Sequence, residues 1–240
     1  RLAGKAVSPL SMFPQYRAVQ ELAGATRAHP ADLWAHEWQW RTVPADGRPT
    51  AAPRSSDASA IGQFEIEMLA IMRGRPGAAD RLCDLCDGLA MGVQGNLTSL
   101  WQLAAAFFEA QTDGLLSFDL HAKRVASRLL AQLRAGAQGQ ASDRLAQDLL
   151  FFCAQVAPTD DHPAGPRLEA VREAYGLVDE TPVDYQASQL GQFDPALLAL
   201  ARKRVSAAKE VWSAVASGDL ARLPGLAEPF SLVGESLGRL

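Results

Sequence analysis

Residues 118–135 read FDLHAKRVASRLLAQLRA, and in them Phe118, Ala122, Val125, Leu129 and Leu133 return every three or four positions. That period puts five apolar side chains along one face of an α-helix, a stripe that must be buried against a neighbour. Working outward, Leu145, Leu149, Phe152 and Val156 repeat the pattern. Helical spacing then extends over about 59–73, 77–92, 96–112, 118–135, 142–157 and 166–175. The breaks fall at Gly74-Arg75-Pro76-Gly77, Gly95, Asp113-Gly114 and Gly136 to Gly139. Connections this short favour antiparallel neighbours, so the sequence predicts an all-α fold, an antiparallel helical bundle without strands.

The flanks read less simply. Toward the C-terminus, after a turn-rich stretch from Pro158 to Pro166 and an irregular one to Phe193, Asp194 and Pro195 predict a helix cap and first turn. A long helix follows with a seam of Leu198, Ala201, Val205, Ala208, Trp212 and Val215, expected to pack onto the bundle through the last four. Gly218 ends it, and Pro224, Gly225 and Pro229 predict a broken helix beyond. Toward the N-terminus, one helix is expected from about Pro14 to Ala23 and another from Pro30, carrying Trp34 and Trp38 at i, i+4. Residues 41–58 hold Pro44, Gly47, Pro49 and Pro53 with one large aliphatic, Val43, the composition of a linker. The expected division is an N-terminal helical extension 1–40, a linker 41–58 and a bundle domain 59–240.

The 240 residues are 48% hydrophobic and 21% charged, which excludes a disordered or collagen-like chain. A net charge of −4 argues against a dedicated nucleic-acid binder. The longest apolar runs, Leu103 to Phe108 and Leu149 to Ala154, are far below the roughly 20 residues of a spanning helix, so no membrane insertion is expected. Three cysteines, an odd number at low density, suit a reducing compartment, and the expected location is the cytoplasm. The start at Arg1, without Met or a charged-then-apolar leader, is expected of a piece of a longer protein. The triplet Asn96-Leu97-Thr98 reads as a helix cap after Gly95 rather than a glycosylation site.

Candidate chemistry is sparse. Cys83 and Cys86 have the spacing of a metal half-site or a redox pair, but no second pair supplies the other two ligands of a tetrahedral site, and Leu82, Leu85 and Leu89 place them inside an amphipathic helix rather than at the strand-to-helix junction usual for a redox pair. No metal and no cofactor are expected. His29 and His162 precede prolines and read as turn residues, and His36 lies in an aromatic cluster. His121, followed by Lys123 and Arg124, is the one candidate phosphoacceptor, because an exposed helical His beside basic residues is how phosphotransfer domains present theirs. Those domains share a His-x-x-Lys-Gly pattern, where this chain has Arg124 and then Val125, which crowds the approach. No phosphate loop, nucleophile elbow, carboxylate pair or His-Glu-x-x-His occurs, so no catalytic residue is assigned.

The blocks Ser11–Trp34, Leu97–Arg124, Arg144–Ala154, Arg167–Leu177 and Arg202–Leu237 resemble one family region. It is the N-terminal scaffold of the CheA-like hybrid sensor histidine kinases that control type IV pili, the PilL or ChpA type, with the related pilus regulator FimL. The resemblance implies a phosphotransfer-like helical bundle that has lost its phosphoacceptor, in agreement with the degenerate surroundings of His121. It implies a non-catalytic scaffold of a pilus chemotaxis-like two-component system, whose partners are other signalling proteins of that system or downstream modules of the same chain. The alternative is an active phosphotransfer domain using His121. Trp34, Trp38 and Trp40 are the expected partner-binding residues, since on a helix, at about 100° per residue, Trp40 points away from Trp38 and is left at the surface.

Overall fold

The glycine and proline punctuation sets helix ends in the computed structural model, which describes residues 8–44, 51–136, 139–187 and 195–238. Among these residues the structure is all-α, without strands. The helices are α1 (Phe13–Leu22), α2 (Ala58–Met72), α3 (Ala78–Met91), α4 (Asn96–Thr112), α5 (Leu120–Ala135), α6 (Asp143–Ala154), α7 (Pro166–Ala174), α8 (Pro195–Ala216) and α9 (Ala227–Gly238). Asp57, Asp119 and Ser142 cap α2, α5 and α6, each accepting from the backbone N–H three residues on at 2.9, 2.8 and 3.3 Å. Gly95, at φ 65°, takes the cap position of α4, so Asn96 is its first residue and not the expected cap. Asp194, the expected cap of α8, and Gly47 and Pro49 of the expected linker lie outside the described residues.

The chain gathers into two compact units, residues 16–185 and residues 1–15 with 186–240. In the first, α4 is the central helix, against which α3, α6 and α7 pack, with α2 on α3 and α5 on α2 and α6. Leu100, Trp101, Leu103, Phe107 and Phe108 of α4 are fully buried, and Ala104, Ala105 and Ala106 between them let α3 approach. Cys83 and Cys86 sit in that contact with Leu82, Leu85 and Leu89. The segment 51–57 runs along the C-terminal end of α3. Arg54 N–H donates to Gly88 O at 2.8 Å, and a Cβ on Gly92 would lie 2.0 Å from Arg54 O. Only glycine admits this crossing.

Two buried charges tie helices together. Glu109 of α4 accepts from Leu168 N–H at 2.7 Å, capping the first turn of α7, and from Arg167 at 2.9 Å, while Arg167 also reaches Asp87 and Asp84 of α3. Arg172 of α7, 6% exposed, donates to the carbonyls of Cys153 and Val156 at the end of α6 and of Leu177. It thus satisfies acceptors that a helix end leaves open.

In the second unit α8 and α9 form a hairpin through a 3-10 turn at Leu220–Gly225. Arg204 holds the pairing, donating to Ser236 Oγ at 2.7 Å and Leu232 O at 3.2 Å. The seam buries Ala201, Ala208 and Ser236, whereas Val205 and Trp212 are 45% and 55% exposed. The expected burial of Val205 and Trp212 is therefore corrected. Both lie on the apolar seam of the sequence, but its small residues Ala201 and Ala208 are the enclosed ones, while Val205 and Trp212 stay about half in water.

Candidate functional site

His29, His121 and the tryptophans of the arm gather on one side of the 16–185 unit, where the N-terminal arm crosses α6 and α7. Its local structure differs from expectation. The only helical part is a 3-10 turn at Pro30–Leu33, and residues 34–44 form no helix. Trp34, His36, Trp38 and Trp40 are all half-buried, while Ala35, Glu37 and Gln39 between them are exposed. This is a period of two, that of an extended chain, so the tryptophans share one side and the helical separation of Trp40 from Trp38 does not occur. Trp34 meets Phe151 edge-on and stacks on His36 at 4.5 Å. Trp38 stacks on Tyr175, and Trp40 Nε1 donates to Asp143 at 2.6 Å.

An extended segment outside a sheet must satisfy its backbone otherwise. Side chains do so here. Ser99 Oγ donates to Arg41 O at 3.0 Å, Arg41 N–H donates to Tyr175 Oη at 3.3 Å, and Arg41 Nη1 donates to Ala174 O at 3.0 Å. Val43, in the segment read as a linker, is buried.

His29 starts the 3-10 turn, its Nδ1 accepting from Ala31 N–H at 3.2 Å while Asp32 accepts from His29 N–H at 2.9 Å. The His-Pro junction is thus a turn start, as expected. Its burial was not expected: His29 is 3% exposed, with its ring edge-on to His121 at 5.4 Å and to Phe151 and Phe152. Burial, then the charge of Arg27, His121, Arg144 and Arg128, pushes its pKa down to about 2. Its approach to Asp148 Oδ1 at 3.4 Å is accordingly not an ion pair.

Beneath His29 lies Asp148, wholly buried in the middle of α6. Arg27 donates to it at 2.7 Å and to Asp32 at 2.8 Å, Arg128 of α5 donates to its other oxygen, and Arg144 bridges Asp32 and Asp148. Burial raises the Asp148 pKa, opposed by the three arginines. The network pins the arm to α5 and α6. In the sequence Asp148 falls beside Leu145 and Leu149, and a carboxylate within an apolar stripe was the available signal for it.

His121, the candidate phosphoacceptor, is 4% exposed, held between His29 and Tyr185, and its pKa is lowered by burial first. Cys83 and Cys86 are buried thiols whose pKa burial raises, and Cys83 donates to Ala105 O at 3.5 Å. Cys153 is pushed up to about 12. Among the described residues no group of three or more His, Cys, Asp or Glu is placed to hold a metal ion, and no helix is long and apolar enough to cross a membrane.

The FimL scaffold protein second domain matches residues 49–188. The chain belongs to this FimL scaffold family. The matched stretch contains α2 to α7, with Asp148 and His121, whereas the arm bearing His29 and the tryptophans precedes it. No curated protein and no solved structure matches the chain. Membership of a scaffold family carries a non-enzymatic role and interaction with other proteins as its meaning for this chain.

Proposed function

We propose that the chain is a non-catalytic interaction module of a cytoplasmic, type IV pilus chemotaxis-like two-component system. Its partners are signalling proteins of that system or modules of its own parent chain. The observation that carries this reading is the match of 49–188 to the FimL scaffold domain. Two features support it. The reactive candidates are packed as structure, His121 at 4% exposure and the cysteines as buried thiols. The buried polar clusters around Asp148 and Glu109 join helices and pair within themselves.

The half-exposed edges of Trp34, Trp38 and Trp40 are the proposed docking face of the arm. Large aromatics anchored at one end and solvated at the other are typical of interface hot spots, where truncation costs about 2 kcal/mol or more. The test is complementation of a strain lacking the parent gene, scored by pilus-dependent twitching, together with phosphate mapping after incubation with the parent kinase core and ATP. His121→Gln, checked for an unchanged melting temperature, is expected to restore motility and to show no loss of phosphate. An acid-labile phosphate that disappears in His121→Gln, with motility lost, would establish phosphotransfer instead.

A further inference from the structure

The α8–α9 hairpin encloses small residues and leaves several of its large ones half in water. Ala201, Ala208 and Ser236 fill the seam, while Val205, Trp212, Phe230 and Leu237 are 45%, 55%, 49% and 56% exposed. Such a seam leaves about half of each of these large side chains in water, and covering them is favourable. At about 100° per residue, Leu198, Arg202, Val205, Lys209, Trp212 and Ala216 form one stripe spaced 4, 3, 4, 3, 4, the repeat of a helix–helix seam. Trp212 and Phe230 meet edge-on at 6.3 Å and, with Lys209, line a cleft of about 350 Å³.

The two cations of that stripe decide what can cover it. Arg204 has its own acceptors across the hairpin, but among the described residues Arg202 and Lys209 meet no carboxylate. A second copy seated on the stripe, parallel or antiparallel, opposes Arg202 and Lys209 to the same two cations, an unfavourable juxtaposition. Lys209 stands in the wall of the cleft, so a side chain that enters beside Trp212 and Phe230 brings its own neighbours within reach of a cation.

We infer that this stripe docks an amphipathic helix of a partner protein. The partner's Asp or Glu residues, seven positions apart, face Arg202 and Lys209, and a large apolar residue beside one of them enters the Trp212–Phe230 cleft. The inference rests on the scaffold reading and names the chemistry of one partner.

The experiment places a photoreactive amino acid at Ser213, on the rim of the stripe, and separately at Gln39, exposed on the arm, in the full protein in its own cells, followed by sequencing of the cross-linked peptides. The expected product at Ser213 is a protein helix with acidic residues seven apart. Its yield should fall at least tenfold in Trp212→Ala and in the double variant Arg202→Glu, Lys209→Glu, stay near wild type in Lys209→Arg, and recover when the partner's two acids are changed to Lys. Cross-links at Gln39 only would overturn the α8 assignment and leave the scaffold reading standing. No protein cross-link at either position would overturn both. Adducts at Ser213 to lipid, to a second copy of this chain, or to a segment without acidic residues would overturn the proposed occupant.

Discussion

Asp148 and His29 lie 3.4 Å apart and are paired with their surroundings in opposite ways. Asp148 is a buried charge held by three arginines, each more than a third exposed at its side chain. Removing one partner of a fully buried pair typically costs 3–5 kcal/mol, but these arginines can return to water, so Asp148→Ala is expected to cost about 2–3 kcal/mol. Thermal or urea unfolding measures it, and a loss below about 1 kcal/mol would mean the network adds little. His29 is neutral in the fold with its pKa lowered to about 2, against 6.5 when unfolded. A depressed pKa gives stability that is present above 6.5 and is lost as pH falls toward 2. At about 1.4 kcal/mol per unit, the drop from pH 7 to pH 5 should take about 2 kcal/mol through this residue. His29→Asn keeps a side chain able to cap the turn and removes the titration, so its stability should fall less steeply over that range. Equal slopes for the two proteins would show that His29 is accessible to protons.

At the scale of elements, two glycines make opposite predictions from the same substitution. Gly92 ends α3 where a Cβ would sit 2.0 Å from the backbone oxygen of Arg54, so Gly92→Ala must displace the 51–57 segment, at about 1–3 kcal/mol. Gly62 is inside α2 with nothing within 4 Å of a Cβ, so Gly62→Ala should stabilise by about 0.5–1 kcal/mol. A melting temperature that does not fall in Gly92→Ala would contradict the described crossing, and one that falls in Gly62→Ala would contradict the open space beside α2. The helices from 58 to 174 were legible because period, caps and breakers agree there, and the observed ends lie within three residues of expectation. The arm was not read correctly. Its Trp-x-His-x-Trp-x-Trp alternation carried the extended period, but Pro30 and an i, i+4 tryptophan pair supported a helix equally well, and only the docking of the rings on Phe151 and Tyr175 separates the two.

For the whole molecule, the stretch matched by the family and the compact unit are not the same length. Residues 16–48 precede the match yet supply Arg27, His29 and the tryptophans to the 16–185 unit. A fragment of residues 49–188 is therefore expected to be less stable than one of 16–188 by at least about 3 kcal/mol, the worth of one to two buried large side chains. For a chain of this size that is about 6–12 °C in melting temperature, read by circular dichroism. Equal melting temperatures would show that the arm is an ornament on a self-sufficient bundle.

Periodicity alone determined the all-α class and the helices from 58 to 174, because these depend on local spacing. The carboxylate in an apolar stripe and the large residues of the α8 seam were equally visible as letters. Only the tertiary structure decided that His121 is sealed under His29, that the tryptophans share one side, and that Trp212 faces outward while Ala208 faces in. Burial is a property of what a face is set against. A helical stripe announces that some face will be covered, and the partner that covers it comes from residues far away in the chain.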